Sequence, residues 1–356
     1  MIPVTATPYN MATAPRILFF ADAGLSVGGG HVMRCLTLAQ ALTARGATCG
    51  FVATAEAGAL LDVFGDDRIA RIAVQAGGPK TLADRIAASA RDWSAGAVVV
   101  DHYQFDRSAE ARLKDPAWRL MAMDDLRRAH ACDLVLDSNL GRAASDYPDA
   151  PVLAGPQYAL VQTAFAQRRK LALARRSAEP SASRLLVSLG LTDVGAITAR
   201  VVKAVLPQIG ERTMDVVLGA GAPSLEPLRA LASHDRRVRL HVNSQDMAGL
   251  VAASDLAIGA GGSSVWERCC LGLPSISLVL ADNQRSNAQA LQAAGATLLV
   301  EAGAEGFDAQ LRAMLRNLLD DAPLRRHISA AAANLCDGRG AARVAERLLA
   351  LISSRG

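Results

Sequence analysis

The stretch RILFFADAGLSVGGGHVMRCLTLAQALTARG, residues 16–46, holds one complete unit of a fold. RILFFA (16–21) is apolar on both faces, the pattern of a strand covered from both sides. CLTLAQALTARG (35–46) has the apolar spacing of a helix. Between them stands GGGH (28–31). Glycines permit positive φ and close approach of a ligand to the backbone. A strand, a glycine turn and a helix make a β–α unit. Open α/β sheets bind ligands at such turns, at the carboxyl ends of their strands.

The unit repeats along the chain. Further strand-like runs are TCGFVA (48–53), AVVVD (97–101), RLMAMD (119–124) and DLVLD (133–137). The alternation stops at AQRRKLALARRSAEPSAS (166–183), which carries five basic groups. This segment predicts a connector whose helix ends near Ala178. A phosphate- or RNA-binding patch is the sharper alternative, weakened by the lack of interleaved aromatics. The alternation then restarts at RLLVSLG (184–190) and continues through MDVVLG (214–219), VRLHV (238–242), DLAIG (255–259), PSISLVL (274–280) and ATLLV (296–300). The fold class is therefore α/β, with two Rossmann-like domains facing a cleft. The expected domains are residues 15–165 and 184–340, joined by 166–183. A C-terminal amphipathic helix over 341–356 is expected to pack back on the first domain.

The chain has 356 residues, comfortable for two such domains. Half of it is apolar and a fifth charged, a globular composition. A net charge of +4 is too small to argue for nucleic acid. Six cysteines without a CxxC pair predict buried free thiols, not a disulfide framework or a zinc site. No metal or cofactor is expected. The first fourteen residues lack the features of a signal peptide. No apolar run approaches the ~20 residues of a membrane span. The expectation is a cytoplasmic chain, without membrane insertion or nucleic acid, for which a monomer suffices.

The chemistry-bearing motifs follow strands. GGGH opens a helix whose N-terminus offers free N–H groups and partial positive charge. That field favours a neutral imidazole at His31, able to act as a general base. The other reading is a glycine turn with a capping histidine. DHYQFD (101–106) puts Asp101, His102, Tyr103 and Asp106 in one loop. Tyr103 can donate to a sugar or phosphate and Asp101 can orient a hydroxyl or a histidine, unless these are solvated loop groups. Asp125 and Asp137, after their own strands, read as N-caps, with lining of the cleft as the alternative. SLGLTD (188–193) opens the second domain, with Gly190 at the turn and Thr192 or Asp193 as a cap. In GAGGSSVWERCC (259–270), Ser264 and Glu267 have capping-box spacing. The functional alternative puts phosphate oxygens on the Gly–Ser amides and vicinal ribose hydroxyls on Glu267. Asn283 and Gln284, in ADNQRSNA (281–288), can recognise hydroxyl and N-acetyl groups.

Five motifs together carry a resemblance. They are G-x-G-H-V-M-R-C-L-T-L-A (28–39), D-H-Y-x-x-D (101–106), G-G-S-S-x-W-E (261–267), A-D-N-Q (281–284) and D-G-x-G-A-x-R-V (337–344). Their order and spacing resemble the UDP-2,4-diacetamido-2,4,6-trideoxy-β-L-altropyranose hydrolases of pseudaminic acid biosynthesis. That family is similar to GT-B glycosyltransferases but transfers the sugar to water. The resemblance implies a GT-B fold, a UDP-sugar substrate, release of UDP with inversion at the anomeric carbon, and no metal. It implies His31 as the residue activating water, with Tyr103 and Asn283 positioning the sugar. Glu267 would bind the ribose, and Gly262, Ser263 and Ser264 the diphosphate. Gly28, Gly30, Arg34, Asp101, Gly190, Asp282 and Gln284 complete the expected substrate-binding set. Leu191 and Val194 depart from the family, which usually has glycine and proline there. The competing readings are a GT-B glycosyltransferase with a true acceptor, a hydrolysing nucleotide-sugar 2-epimerase, and a nucleotide-sugar binding protein without chemistry.

Overall fold

The computed structural model describes residues 14–24, 28–178 and 182–354. The first sheet contains β1 (Arg16–Ala21), β2 (Thr48–Ala53), β3 (Ala70–Ala73), β4 (Ala97–Asp101), β5 (Arg119–Met123), β6 (Leu134–Asp137) and β7 (Val152–Ala154). Its spatial order is β3-β2-β1-β4-β5-β6-β7, all parallel. The second contains β8 (Arg184–Ser188), β9 (Thr213–Leu218), β10 (Val238–Val242), β11 (Leu256–Ala260), β12 (Ser275–Val279) and β13 (Leu298–Glu301). Its order is β10-β9-β8-β11-β12-β13, again parallel. These are two doubly wound sheets, each reversing direction next to its first strand.

Helices cover both faces of each sheet. The first sheet carries α1 (Gly30–Thr43), α2 (Ala55–Phe64), α3 (Pro79–Asp92) and α4 (Arg107–Leu113). Then come α5 (Thr163–Ala178), α6 (Ile197–Val205), α7 (Leu225–His234), α8 (Met247–Ala253), α9 (Val265–Cys270), α10 (Asp282–Ala293), α11 (Phe307–Asp320), α12 (Ala322–Leu335) and α13 (Gly340–Ser353). Two-sided burial explains the unbroken apolar runs. In β1, Ile17 and Phe19 enter one core while Leu18 and Phe20 enter the other. Phe19 stacks on Phe51 of β2, with ring centres 5.0 Å apart.

The strand readings at 16–21, 48–53, 97–101 and 238–242 coincide with the observed strands. Others are offset at their ends by a residue or two: β11 and β13 end one residue later than read, while β8 stops at Ser188, because Gly190 turns out of the ladder with φ +110°. The sequence reading did not find β3 and β7. Both are edge strands of three or four residues, too short and too thinly apolar to show a period.

The basic segment around residue 170 is mostly α5, packed against α8, α9 and α12. Arg169 donates to the carbonyls of Cys270, Ala333 (2.7 Å) and Cys336 (3.0 Å). Arg175 donates to Ala252 (3.0 Å) and Ser254 (2.7 Å). Arg176 donates to Leu271 (2.7 Å), Val251 (2.8 Å) and Ser254 (3.0 Å). These are carbonyls at helix ends, which lack intrahelical partners. Three of the five basic groups thus serve the protein's own backbone. All six cysteines are buried and unpaired. Among the described residues, no helix is long and apolar enough to cross a membrane.

Helix α13 returns to the first sheet. It packs on α1, and Val344, Ala345 and Leu348 join the core over β1, β2 and β4. The DGRGAARV segment makes this crossing. Asp337 accepts from Arg343 at 2.5 and 2.9 Å, and Gly338 takes φ +76°. Gly340 begins α13 so close to Ala159 that a Cβ would overlap that residue's backbone. Gly340→Ala is therefore expected to destabilise the protein by about 1–3 kcal/mol through overpacking against rigid backbone. The denaturation midpoint measures it; an unchanged midpoint would mean that the junction relaxes at no cost.

Candidate active site

The loops after β1, β4 and β5 in the first sheet meet those after β8, β11 and β12 in the second. His31 stands in the first turn of α1, just past the glycines, and is 6% exposed. Its Nδ1 lies 2.7 Å from Asp101 Oδ1, at the end of β4. Arg34, three residues on and hence on the same face of α1, donates to both oxygens of Asp101 at 2.5 and 2.6 Å. Burial works against the charge of Asp101, but Arg34 and then His31 outweigh it and hold the carboxyl well below the usual carboxylate range. With Asp101 ionised, a neutral His31 carries its proton on Nδ1 and leaves the Nε2 lone pair free. Arg34 is thus committed to Asp101, behind His31.

The ring of Tyr103 meets His31 edge-on, with centres 4.6 Å apart. Its hydroxyl donates to Asp125 Oδ2 at 2.9 Å and accepts from Asn283 Nδ2 at 2.5 Å. Burial, and then the charge of Asp125, pushes the phenol well above its ordinary range. Arg128 holds the Tyr103 loop, donating to the carbonyls of Tyr103 (2.7 Å), Phe105 (3.1 Å) and His102 (3.3 Å). The rest of the DHYQFD motif is structural. Asp106 caps α4 by accepting from Ala109 N at 2.9 Å. His102 stacks on Phe20 at 5.4 Å, and burial pushes its imidazole below its ordinary value.

The glycine loop faces the second half directly. A Cβ on Gly28 would lie 3.6 Å from Thr192 Oγ1, and one on Gly30 would lie 3.7 Å from Ser263 Oγ. Gly29 is covered by Leu60 and Leu191. Leu191 therefore packs at the junction of the halves, while Val194 is half exposed. Beyond Gly190, the buried Asp193 anchors the start of α6, accepting from Thr198 N at 2.9 Å and Thr198 Oγ1 at 2.6 Å. The expectation of a cap there is met by Asp193 from outside the helix.

Three other capping expectations fail. Asp125 and Asp137 cap nothing, since no helix follows β5 or β6 closely. Asp125 takes the Tyr103 hydroxyl, and its Oδ1 is buried without a partner among the described residues. Asp137 accepts from Arg142 (2.5 Å) and Tyr147 (2.7 Å). The Ser264–Glu267 capping box does not form either. Ser264 already has helical φ/ψ, so its hydroxyl cannot reach back as an N-cap does, and it accepts from Arg268 at 3.3 Å. Glu267 is left without a hydrogen-bond partner among the described residues, and burial raises its carboxyl to about 7 despite Arg268. Gly262 and the exposed Ser263 complete this loop, opposite the first domain's glycines.

Gln284 borders this cluster at Gly262, while Asp282 diverges from it. Gln284 Oε1 accepts from Leu280 N at 3.1 Å, with its amide nitrogen beside Gly262. Asp282 is almost fully exposed, paired with Arg285 at 3.0 Å, on the rim of a cavity of about 500 Å³ at the ends of β12 and β13. One group among the described residues could converge on a metal: Glu110, His130 and Cys132. Within it His130 Nδ1 lies 2.7 Å from Glu110 and Cys132 donates to the Leu134 carbonyl at 3.2 Å, while His130 Nε2 is buried without a hydrogen bond among the described residues, 3.6 Å from Asp124.

Sequence reasoning preferred a cap at Asp125, missed Arg128, and did not foresee what Arg34 binds. The i, i+3 spacing of His31 and Arg34 was the available signal for Arg34. Asp125 and Arg128 gave none, because their partners lie 22 to 26 residues away in the chain.

Residues 194–341 match the model of the glycosyltransferase family 28 C-terminal domain. The spore coat polysaccharide biosynthesis protein SpsG of Bacillus subtilis is 29% identical over 53% of this chain. The match spans 56% of that relative's length, little more than half. A UDP-2,4-diacetamido-2,4,6-trideoxy-beta-L-altropyranose hydrolase of Campylobacter jejuni is 23% identical over 77% of this chain and 94% of its own. Among solved structures, MurG of Acinetobacter baumannii superposes with a TM-score of 0.68 at 16% identity, covering 94% of this chain and 99% of its own. With two doubly wound sheets facing across one cleft, this chain has the two-Rossmann-domain GT-B fold.

Proposed function

We propose that this chain is a nucleotide-sugar enzyme that hydrolyses a UDP-sugar of the 2,4-diacetamido-2,4,6-trideoxy-altropyranose class to UDP and the free sugar, without a metal. The observation that carries this reading is the His31–Asp101 pair, set beside Tyr103 and across from the Gly–Ser loop. Likeness to the Campylobacter jejuni hydrolase supports the substrate class. A GT-B glycosyltransferase is the second reading, favoured by the family 28 match over residues 194–341.

In the hydrolytic reading, UDP lies on the second half. The Gly262, Ser263 and Ser264 amides face its diphosphate, and Glu267 accepts from two ribose hydroxyls. The sugar lies between that loop and His31. Nε2 of His31 takes a proton from water as the water oxygen bonds to the anomeric carbon. The bond from that carbon to the diphosphate oxygen breaks on the opposite face, and its electron pair leaves with UDP. Asp101 stabilises the imidazolium that forms. The Gly–Ser amides stabilise charge growing on the diphosphate. Gly28, Gly30 and Gly190 keep side chains out of the space between the halves.

His31→Ala should lower kcat by roughly 10²–10⁴-fold while leaving UDP affinity within a few-fold. Turnover near that of the parent protein would remove His31 from this role. Hydrolysis in ¹⁸O-labelled water should put the label in the free sugar. Label in UDP would mean attack at phosphorus and would overturn the inverting mechanism. UDP release that requires an added acceptor would favour the transferase.

The carboxyl of Glu267 sets a pH dependence. It is neutral below about 7 and ionised above, and the ionised form, an acceptor on both oxygens, holds two hydroxyls more strongly. UDP affinity, measured by calorimetry, should therefore rise between pH 6 and pH 8. Glu267→Gln should weaken binding and flatten that rise. The same slope in the variant would sink the assignment.

A further inference from the structure

Asp125, Tyr103 and Asn283 form a single hydrogen-bonded chain from one half of the molecule to the other. Its direction follows from chemistry. A carboxylate oxygen can only accept, so the Tyr103 proton points to Asp125. Tyr103 then has only a lone pair to offer Asn283. The Asn283 amide must answer with its NH₂, which leaves its carbonyl Oδ1 as the outward group. An asparagine side chain is nearly symmetric in shape, so hydrogen-bond direction, not sterics, sets its orientation. Asp125 is itself held fast. Its backbone carbonyl accepts from Arg142 at 2.9 Å and Asn139 at 3.5 Å, and Arg34 Nη1 stands 3.7 Å from its Oδ2.

We propose that Asp125 is a positioning residue which, acting through Tyr103, fixes the polarity of Asn283, so that Asn283 presents a carbonyl acceptor to an N–H or O–H donor of the bound sugar. The identity of that donor rests on the nucleotide-sugar reading above; the direction of the chain does not. A substrate acetamido group supplies such an N–H donor. Tyr103, with its proton committed to Asp125, is no proton donor to the substrate. It relays direction between the halves.

The test is a polarity swap in the full chain. In Asp125→Asn the new amide can donate to Tyr103, the tyrosine proton can turn to the Asn283 carbonyl, and the NH₂ then faces the ligand. Asn283→Asp alone sets two acceptors around one hydroxyl. The double variant restores one donor for each acceptor and again leaves an oxygen outward. Two readouts serve: the melting temperature of the ligand-free protein, and kcat/KM for UDP release from the diacetamido UDP-sugar. Both single variants should melt lower than the parent, and the double should recover at least half of the larger loss. Asp125→Asn should cut kcat/KM by roughly tenfold to a hundredfold, and the double should regain most of it. A merely structural Asp125 predicts additive losses in both readouts. Additive losses, or an Asp125→Asn protein within twofold of the parent in kcat/KM, would overturn the proposal. Absence of UDP release by the parent protein from any UDP-sugar would overturn the function proposed above. The melting cycle would still decide the direction of the chain.

Discussion

One buried carboxylate organises the first half of the cleft. Asp101 ends β4 with no exposure to solvent, an unfavourable place for a charge unless it is paired and hydrogen-bonded. Arg34 engages both of its oxygens, and His31 adds a further hydrogen bond. All three lie at the junction of β4 with the start of α1. The carboxylate therefore fixes which way the imidazole faces and, in the neutral form, which nitrogen holds its proton. Removing Arg34 would leave a buried charge undercompensated, whereas without His31 the two Arg34 hydrogen bonds still hold it.

The sheet order explains why these groups meet. In each sheet the strand order reverses beside the first strand, between β1 and β4 and between β8 and β11. A crevice opens at such a point, because the connections on its two sides leave in opposite directions. His31 follows β1, Asp101 ends β4 and Tyr103 follows it, Gly190 follows β8, and the Gly–Ser loop follows β11. Two crevices facing each other bring those loops into contact. Asn283 reaching Tyr103, and the Leu140 amide donating to Asn287 Oδ1 at 2.9 Å, tie the halves across the gap. Helix α13 adds a further tie by carrying the end of the chain back to the first core.

Much of this was legible in sequence because it is local. Two-sided burial writes a strand as a continuous apolar run, so β1, β2 and β4 could be read to the residue. The glycine turns and their position after strands were equally plain. What misled was local chemistry in the wrong frame. Ser264 and Glu267 have the spacing of a capping box, yet a helical φ/ψ at Ser264 forbids it. Asp125 and Asp137 look like caps at strand ends, but no helix follows for them to cap. The arginines of α5 read as part of a connector, or as a phosphate- or RNA-binding patch, yet three of them turn inward to helix-end carbonyls.

The sequence by itself determined the alternation of strands and helices, the two-domain α/β class and the placement of glycine turns before helices. These follow from period, burial and the conformational freedom of glycine, all readable within a few residues. Only the tertiary structure decided which polar groups are partners. It set Arg34 behind His31, Asp125 under Tyr103, and Asn283 against Tyr103 from 180 residues away. Hydrogen bonds depend on distance and direction in space, and a sheet that brings distant strand ends together sets both without leaving a trace in the local order of residues.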